Sequence, residues 1–416
     1  MRELKRADSA AGTTGWRAFG DGVSRRLWGL ESKALCGAAC RRAGRKEFGD
    51  PALEPALPRL LRSLETEADL HPLGRFLMRL HLRDLLATRL RLVKAWSDLG
   101  PALEHQVIQR PVFITGMPRS GSTFLHELLA TDPDHRSPRV WEVMFPVGAP
   151  EASPRARERR FRQAARCLWW FRRLAPQADS AYPMRADTPH ECVAIHSYTF
   201  LSQEFVSTCR IPSYEAFLRA TTLRPVYAWQ KRFLQYLQRG APAQRWILKS
   251  PDHVYGLEEI FAVFPDACII QTHRNPLEVL TSSIHLTDVL QRLYARPGDR
   301  DEIRRHEVRL LAEAMESFIR FRDRHPELAD RFIDVRYADL VAEPLAVVRR
   351  IYQRLDQPLT QVAAERIAHL VASRSRYRRR HASSLAELGV DLAAEGRRFH
   401  RYCFRFGIPC QPIELG

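Results

Sequence analysis

The chain has 416 residues, 45% hydrophobic and 27% charged, a balance typical of a folded globular protein. Its 65 basic and 48 acidic residues give a formal net charge of +17, which favours anionic partners such as nucleotides, sulfated or phosphorylated ligands, or lipid headgroups. No apolar run reaches the ~18 residues of a transmembrane helix, and no apolar signal segment opens the chain. The composition therefore predicts a cytoplasmic protein, and it leaves peripheral contact with a membrane open.

Residues 1–105 predict a helical N-terminal extension. Its first part, residues 1–20, combines small and charged residues without a hydrophobic period, which predicts disorder. From 51 to 100 the leucines recur at helical spacing, which predicts amphipathic helices. We therefore expect the core of the fold to begin after this extension.

Strand-like and helix-like patterns alternate through residues 106–345. The predicted strands are 112–116, 245–249, 267–272 and 332–336, and the helices that follow them are 123–130, 254–264, 276–294 and 343–355. Because such alternation is typical of parallel sheets, it predicts an α/β fold with a P-loop-like parallel sheet flanked by helices. A helical insertion at 140–240 separates the first two strands. Residues 346–416 predict C-terminal helices that complete the same domain.

A tight loop follows the first predicted strand and reads Gly116-Met-Pro-Arg-Ser-Gly-Ser-Thr123. A loop between a strand and a helix N-terminus directs backbone N–H groups and the positive helix end at one point, which suits phosphate. The spacing satisfies Gly-x-x-x-x-Gly, but Ser122 and Thr123 follow it, so the lysine of a nucleoside triphosphatase loop is missing. The positive charge lies instead at Arg119, inside the loop.

Further polar side chains follow the other predicted strands, at the sheet edge where ligands gather in parallel α/β folds. Lys249 and Arg274 follow the second and third strands, and Tyr337 follows the fourth. Lys249 is one of only six lysines among 65 basic residues, and it ends a buried strand pattern. We expect these side chains and Arg119 to converge.

Three motifs occur in order at these strand ends: Pro118-Arg-Ser-Gly-Ser-Thr123, Leu248-Lys-Ser-Pro-Asp-His253 and His273-Arg-Asn-Pro-Leu-Glu-Val-Leu-Thr-Ser282. Together they resemble the sulfotransferases that use 3′-phosphoadenosine 5′-phosphosulfate (PAPS). The likeness is closest to the bacterial branch whose loop reads Pro-Arg-Ser-Gly-Thr-Thr, and it extends distantly to protein-tyrosine sulfotransferases. The likeness covers roughly residues 107–345. It implies transfer of a sulfuryl group from PAPS to a hydroxyl or amine of a small-molecule, lipid or glycan acceptor by in-line displacement.

The resemblance also implies which residues bind PAPS. The loop residues would cradle the 5′-phosphosulfate, namely Arg119, Ser120, Gly121, Ser122 and Thr123. Arg274 and Ser282 would bind the 3′-phosphate, with Ser283 as the alternative hydroxyl. Tyr337 would lie near the adenine, or else in the core. Lys249 would donate to the oxygen that bridges phosphate and sulfate, where negative charge develops as the sulfuryl group departs.

The reaction also needs a base for the proton of the acceptor hydroxyl. Glu142 lies at an offset similar to that of the catalytic glutamate of tyrosine sulfotransferases, although an ion pair or helix cap would also explain it. His253 follows the lysine motif, as a catalytic histidine does in cytosolic sulfotransferases, but with a longer gap. Glu191 and the histidines His190 and His196 are further candidates in the insertion.

The basic run from Arg374 to His381 resembles the segment with which many sulfotransferases cover the nucleotide, but it lacks the lysine and glycine of the bacterial pattern. The alternative is a solvated basic loop. No metal is implied, since arginine and lysine supply the charge that magnesium supplies in kinases.

The alternative functions are a phosphate-loop kinase and a non-catalytic protein that binds nucleotides or other anions. No specific nucleic-acid module occurs. Aromatic residues of the insertion, such as Trp169 and Trp170, suggest an apolar or lipid-like acceptor, or else belong to the core. The sequence identifies neither the acceptor nor the oligomeric state.

Overall fold

The structure is a computed structural model. It describes residues 21–49, 53–148, 154–239, 244–374 and 392–409. The predicted disordered start and residues 375–381 of the basic run lie outside the described residues.

The helices, in chain order, are α1 (Ser32–Ala43), α2 (Leu53–Thr66), α3 (Pro72–Leu99), α4 (Pro101–Glu104), α5 (Ser122–Leu129), α6 (Val140–Met144), α7 (Pro154–Leu174), α8 (Pro176–Ala181), α9 (Val193–His196), α10 (Gln203–Thr208), α11 (Pro212–Arg219), α12 (Arg224–Gln238), α13 (Leu257–Val263), α14 (Pro276–Gln291), α15 (Arg300–Arg324), α16 (Tyr337–Ala342), α17 (Pro344–Arg354), α18 (Gln361–Arg374) and α19 (Leu392–Phe406). Short 3₁₀ helices cover Ser197–Thr199, Pro251–Tyr255 and Pro326–Arg331. Among these described helices, none combines the length and the apolar character needed to cross a bilayer.

The strands are β1 (Val112–Gly116), β2 (His135–Arg136), β3 (Arg245–Lys249), β4 (Cys268–His273) and β5 (Phe332–Arg336). Within the described residues they form one parallel sheet in the order β2-β3-β1-β4-β5. The prediction of an α/β fold with a parallel sheet flanked by helices is confirmed. The sequence missed β2, because two residues are too few to produce a periodic pattern.

Contacts divide the chain into two compact units. The first comprises residues 1–98, 197–221 and 289–298, and the second comprises residues 99–196, 222–288 and 299–416. The predicted boundaries at 105 and 345 remain a prediction. In the first unit, the fully buried Arg89 donates hydrogen bonds to the carbonyl oxygens of Phe48 at 3.0 Å and Tyr198 at 2.6 Å. These bonds offset part of the cost of burying a guanidinium.

The sheet of the second unit is covered on both faces, as expected for parallel strands. On one face, apolar residues of β1, β3, β4 and β5 pack against α5 and α17. On the other face, the Phe113 ring of β1 contacts the rings of Tyr227 in α12 and of Phe264. Strands enclosed in this way have few alternative registers, because a slip by one residue would turn every apolar side chain to the other face.

The strand register brings the predicted polar residues to one edge. Ile114 of β1 is opposite Lys249, and Gly116 is opposite Thr272 of β4. The central strand β1 therefore ends between the ends of β3 and β4. The loop after β1 lies between Lys249 on one side and Arg274 on the other.

Candidate active site

The loop between β1 and α5 has an unusual backbone. Gly116, Arg119 and Gly121 have positive φ angles of 139°, 64° and 90°. Arg119 adopts this left-handed conformation with a side chain, which is uncommon outside glycine and points to a constrained loop. The helix begins at Ser122, so the N–H groups of its first turn lack partners in the preceding turn and face the loop.

The loop is fastened to β4 by buried hydroxyl groups. The Ser120 hydroxyl donates to the Met117 carbonyl at 2.6 Å and lies 2.6 Å from the Thr272 hydroxyl. A Cβ atom added to Gly116 would lie 2.5 Å from the Thr272 carbonyl oxygen. Glycine is therefore required at 116 because the loop passes this close to the neighbouring strand. Thr272 was missed in the sequence, since it resembles any other residue of a buried strand.

The residues predicted for the 3′-phosphate lie together. The Arg119 Nε donates to the Ser282 hydroxyl at 2.9 Å, and the Arg274 Nη1 donates to the Arg119 carbonyl at 2.9 Å. The Arg274 guanidinium pairs with Glu278 at 2.8 Å and lies 4.3 Å from the centre of the Tyr337 ring. These contacts fix the direction of two guanidinium groups beside a hydroxyl, an arrangement suited to a phosphate dianion.

The alternative hydroxyl, Ser283, is 2% exposed, and its oxygen has no hydrogen-bond partner among the described residues. Ser282 and Ser283 both remain predictions as phosphate ligands. Ser282 already contacts the arginine of the loop, whereas Ser283 does not have such a contact in the described part of the chain.

Lys249 lies at the end of β3 with only 3% of its side chain exposed. Its ammonium group donates to the Thr123 hydroxyl at 3.1 Å and contacts the Glu191 carboxylate. Cys192, which follows Glu191, donates its N–H to the Lys249 carbonyl at 2.8 Å, which holds this part of the insertion against the end of β3. Burial alone would raise the pKa of Glu191, but the Lys249 ammonium and the Tyr182 hydroxyl lower it below its ordinary value.

A second carboxyl group near Lys249, that of Asp252, was not singled out in the sequence. Burial, reinforced by the negative charge of Glu191, raises the pKa of Asp252 to about 7. Its Oδ2 atom is buried and accepts no hydrogen bond from the described residues. Its place three residues after Lys249, within the same motif, was the signal that could have identified it. Glu191, with a lowered pKa, and Asp252, with a raised pKa, thus both lie near the Lys249 ammonium group. Carboxyl groups whose pKa values are shifted in opposite directions are typical of acid–base sites.

Glu142 is engaged elsewhere. Its carboxylate accepts a hydrogen bond from the Arg139 backbone N–H at 2.9 Å as a cap of α6, and it pairs with Arg136 at 3.4 Å. The described contacts therefore match the ion-pair and helix-cap alternative, and a catalytic role for Glu142 stays a prediction.

His253 is fully buried on the face of the sheet that carries Phe113. Its Nδ1 lies 3.0 Å from the Tyr227 hydroxyl, and its ring packs edge-on against His196. Burial, the neighbouring His196 and the Lys249 ammonium hold the pKa of His253 well below its ordinary value. Burial likewise lowers the pKa of His196 to about 4. Both histidines stay predictions as bases, in surroundings that keep them neutral.

Sequence and structure comparisons identify the class of protein to which this site belongs. The family model described as "Sulfotransferase family" matches residues 111–361, more than half of the chain. The chain belongs to the sulfotransferase family. The matched region contains the loop, Lys249, Glu191 and Arg274.

Individual relatives agree with this assignment. The chain is 29% identical over 264 residues to omega-hydroxy-beta-dihydromenaquinone-9 sulfotransferase Stf3 of Mycobacterium bovis, and the match covers 61% of this chain and 64% of that protein. The chain thus spans slightly less than two thirds of this relative. Among solved structures, it is similar to sulfotransferase STF9 of Mycobacterium avium (26% identity, 91% of this chain and 97% of that chain, TM-score 0.80). Sulfotransferase STF1 of Mycobacterium tuberculosis H37Rv is also similar (27%, 89% and 98%, TM-score 0.76).

Proposed function

We propose that the protein transfers the sulfuryl group of PAPS to a hydroxyl group of an apolar acceptor. The observation that carries this proposal is the convergence of three cations, Arg119, Lys249 and Arg274, at the adjoining ends of β1, β3 and β4. They surround a loop that presents the N–H groups of a helix start. A nucleotide with phosphate groups at both ends of its ribose needs such separated positive charges.

The donor fits the residues that are present. The N–H groups and hydroxyls of Ser122 and Thr123 would hold the 5′-phosphosulfate. Arg274 and Ser282 would hold the 3′-phosphate, and Arg119 would join them, because its guanidinium already donates to Ser282. The Tyr337 ring, which lies against the Arg274 guanidinium, would line the site on the side of the adenine. When bound, PAPS supplies the electrophilic sulfur.

Lys249 would stabilise the negative charge that develops on the leaving phosphate. Its ammonium group donates to Thr123 of the phosphate loop, so it is already directed at the end of the loop where the 5′-group would lie. The pair with Glu191 fixes that direction, since a buried ammonium gains more from a carboxylate than from a neutral acceptor. A cation held in advance needs no reorganisation during the reaction, which makes it effective in catalysis.

Glu191 would accept the proton of the acceptor hydroxyl. It is a carboxylate in direct contact with the ammonium group of Lys249, so a hydroxyl that reaches the sulfur beside Lys249 also reaches Glu191. The lowered pKa of Glu191 keeps it in the ionised form that a base requires at neutral pH. Asp252, with a pKa of about 7, would be a second group that could take up this proton near Lys249.

The acceptor proposal draws on the named activity of the Mycobacterium bovis relative, which acts on an omega-hydroxy menaquinone derivative. We propose a hydroxyl on a long apolar molecule as the acceptor. Incubation with ³⁵S-labelled PAPS and a lipid extract should place the label in an organic-phase product, and the rate should not change when magnesium is chelated. Thermal stabilisation by 3′-phosphoadenosine 5′-phosphate (PAP) is the first measurement. The absence of any shift with PAP would overturn the proposal, and label that appears only in water-soluble products would overturn the acceptor class alone.

A further inference from the structure

Helix α7, in the insertion of the second unit, is the most basic helix surface near the candidate site. Its 21 residues include eight arginines and one carboxylate, Glu158. Four of the arginines, Arg155, Arg159, Arg162 and Arg166, recur at intervals of four, three and four residues, which places them on one side of the helix. We define the outward face of α7 as Arg155, Arg159, Arg162, Arg166, Trp169, Trp170 and Arg173.

The opposite side of α7 is packed. Ala164 and Leu168 are buried against Val140 and Trp141 of α6. Arg160 also lies on this inner side, where its Nη1 donates to the Phe145 and Pro146 carbonyls at 3.3 and 3.2 Å. Among the described residues, the contacts that attach the helix to its unit therefore come from the inner side.

Two tryptophans interrupt the charge of the outward face near the end of the helix. Trp169 and Trp170 are 44% and 55% exposed, and their rings contact edge to face with centroids 4.8 Å apart. The Arg173 guanidinium lies 5.4 Å from the centre of the Trp169 ring. Adjacent exposed tryptophans beside arginines are typical of helices that lie in a membrane interface, where the ring is partly buried and its N–H remains hydrated.

We propose that the outward face of α7 docks on an anionic lipid bilayer. The charge is complementary, since at least five arginines face a surface that carries anionic headgroups. Trp169 and Trp170 would enter the headgroup region and anchor one end of the helix. The one carboxylate of the helix, Glu158, pairs with Arg162 at 2.6 Å, and the outward face keeps a net positive charge.

The docking face is joined to the candidate site by a short path. After α7 the chain forms α8, and it then reaches Tyr182, which hydrogen-bonds to the Glu191 carboxylate. Helix α6, against which α7 packs, begins directly after Arg139, whose side chain donates to the Asp187 carbonyl in the same segment at 2.6 Å. Docking through α7 would therefore bring the Glu191 segment close to the bilayer, where an apolar acceptor is dissolved.

The test is sedimentation of the purified full chain with vesicles of phosphatidylcholine alone or of equal parts phosphatidylcholine and phosphatidylglycerol. We expect binding to the anionic vesicles only. The triple variant R159Q/R162Q/R166Q should bind them about 100-fold more weakly, at roughly fivefold per arginine. The matched control R305Q/R309Q/R320Q removes the same charge from exposed positions of α15 and should bind like the wild type. Circular dichroism and PAP-induced thermal shifts check that all variants are folded.

The tryptophans are tested separately. The variant W169A/W170A keeps every arginine, so it should still reach the anionic vesicles but bind them at least about tenfold more weakly. Equal binding of the wild type and the α7 triple variant, or of the wild type to both vesicle types, would overturn the proposal. Binding of single-stranded RNA in place of vesicles, or tryptophan-dependent dimerisation without vesicle binding, would overturn it in favour of those partners. None of these outcomes depends on sulfuryl transfer.

Discussion

The ammonium group of Lys249 contacts the carboxylate of Glu191, although the two residues are 58 positions apart and belong to a sheet strand and to the insertion. Both side chains are largely buried, at 3% and 14% exposure. A buried pair of this kind is lost at a high cost if one partner is removed, because the other charge stays in a poorly solvated place. It is therefore the most informative pair to change.

Glu191→Gln should lower kcat by about 10²- to 10⁴-fold, the usual contribution of a positioned base. The affinity for PAP should change little, since the amide still fits beside Lys249. The measurement combines initial rates with calorimetric titration of PAP. The matched control is Glu142→Gln, which removes a helix cap and an ion pair and should cost about 1 kcal/mol of stability with kcat nearly unchanged. The reverse pattern, in which only the Glu142 variant loses kcat, would identify Glu142 as the base.

Lys249→Met should lower kcat by about 10²- to 10³-fold, because the developing charge on the leaving group loses its cation. Lys249→Arg should not restore the rate, since a larger planar group does not fit a side-chain site that is 3% exposed. Lys231→Met is the control, because Lys231 donates to the Val263 carbonyl away from the site. A Lys249 variant with wild-type kcat would contradict the proposed role.

Asp252 should make the stability of the protein depend on pH. Its folded pKa of about 7 lies above its ordinary value of 3.8, so between about pH 4 and pH 7 the folded state holds a proton that the unfolded chain has released. The free energy of unfolding should therefore fall as pH rises through this window, by at most about 4 kcal/mol at 1.36 kcal/mol per pKa unit.

Urea denaturation at a series of pH values measures this effect. Asp252→Asn should remove most of the decrease, so that the variant gains stability relative to the wild type as pH rises from 4 to 7 (about 3 pH units). Asp330→Asn, at an exposed carboxylate, should leave the pH dependence as it is in the wild type. Parallel pH curves for the wild type and the Asp252 variant would show that Asp252 titrates in its ordinary range.

Gly116→Ala should destabilise the protein by at least about 2 kcal/mol and abolish PAP binding. The residue has a φ of 139°, and the added methyl group would lie 2.5 Å from the Thr272 carbonyl oxygen, so the loop must move. Thermal denaturation and PAP-induced shifts measure both effects. Gly298→Ala is the control, because its methyl group would meet no atom within 4 Å. A Gly116 variant as stable as that control would contradict the loop geometry.

Tyr337→Ala should weaken PAP binding about tenfold, because the Arg274 guanidinium loses the ring 4.3 Å away that orients it. Tyr337→Phe keeps the ring and should bind PAP within about twofold of the wild type. Calorimetric titration separates the two variants. If both variants bound PAP like the wild type, Tyr337 would belong to the core, which is the other role that the sequence allows.

Much of the fold was predictable because its signals are local. The apolar runs that became β1, β3, β4 and β5 are short, buried and followed by helices, so the order of strands and helices could be read directly. β2 gave no signal, since His135 and Arg136 are polar and become a strand only by pairing with Arg245 and Trp246. Its existence depends on the neighbour and not on its own composition.

The candidate site was predictable in part. Arg119, Lys249 and Arg274 follow strands, and the ends of parallel strands share an edge, so their convergence followed from the strand pattern. The partners of these residues did not follow. Glu142 fits a base by its offset along the chain, but the described contacts hold it as a helix cap and in an ion pair with Arg136, whereas Glu191 contacts Lys249.

The sequence by itself determined the phosphate loop, the strand ends that carry positive charge and the family that both indicate, because each is encoded in a few consecutive residues. Only the tertiary structure decided which carboxylate meets Lys249, which hydroxyl meets Arg119 and which face of α7 is left outward. These relationships join residues from 58 to 163 positions apart. Which of these distant residues come into contact depends on burial and strand order, and neither is a property of a local stretch of chain.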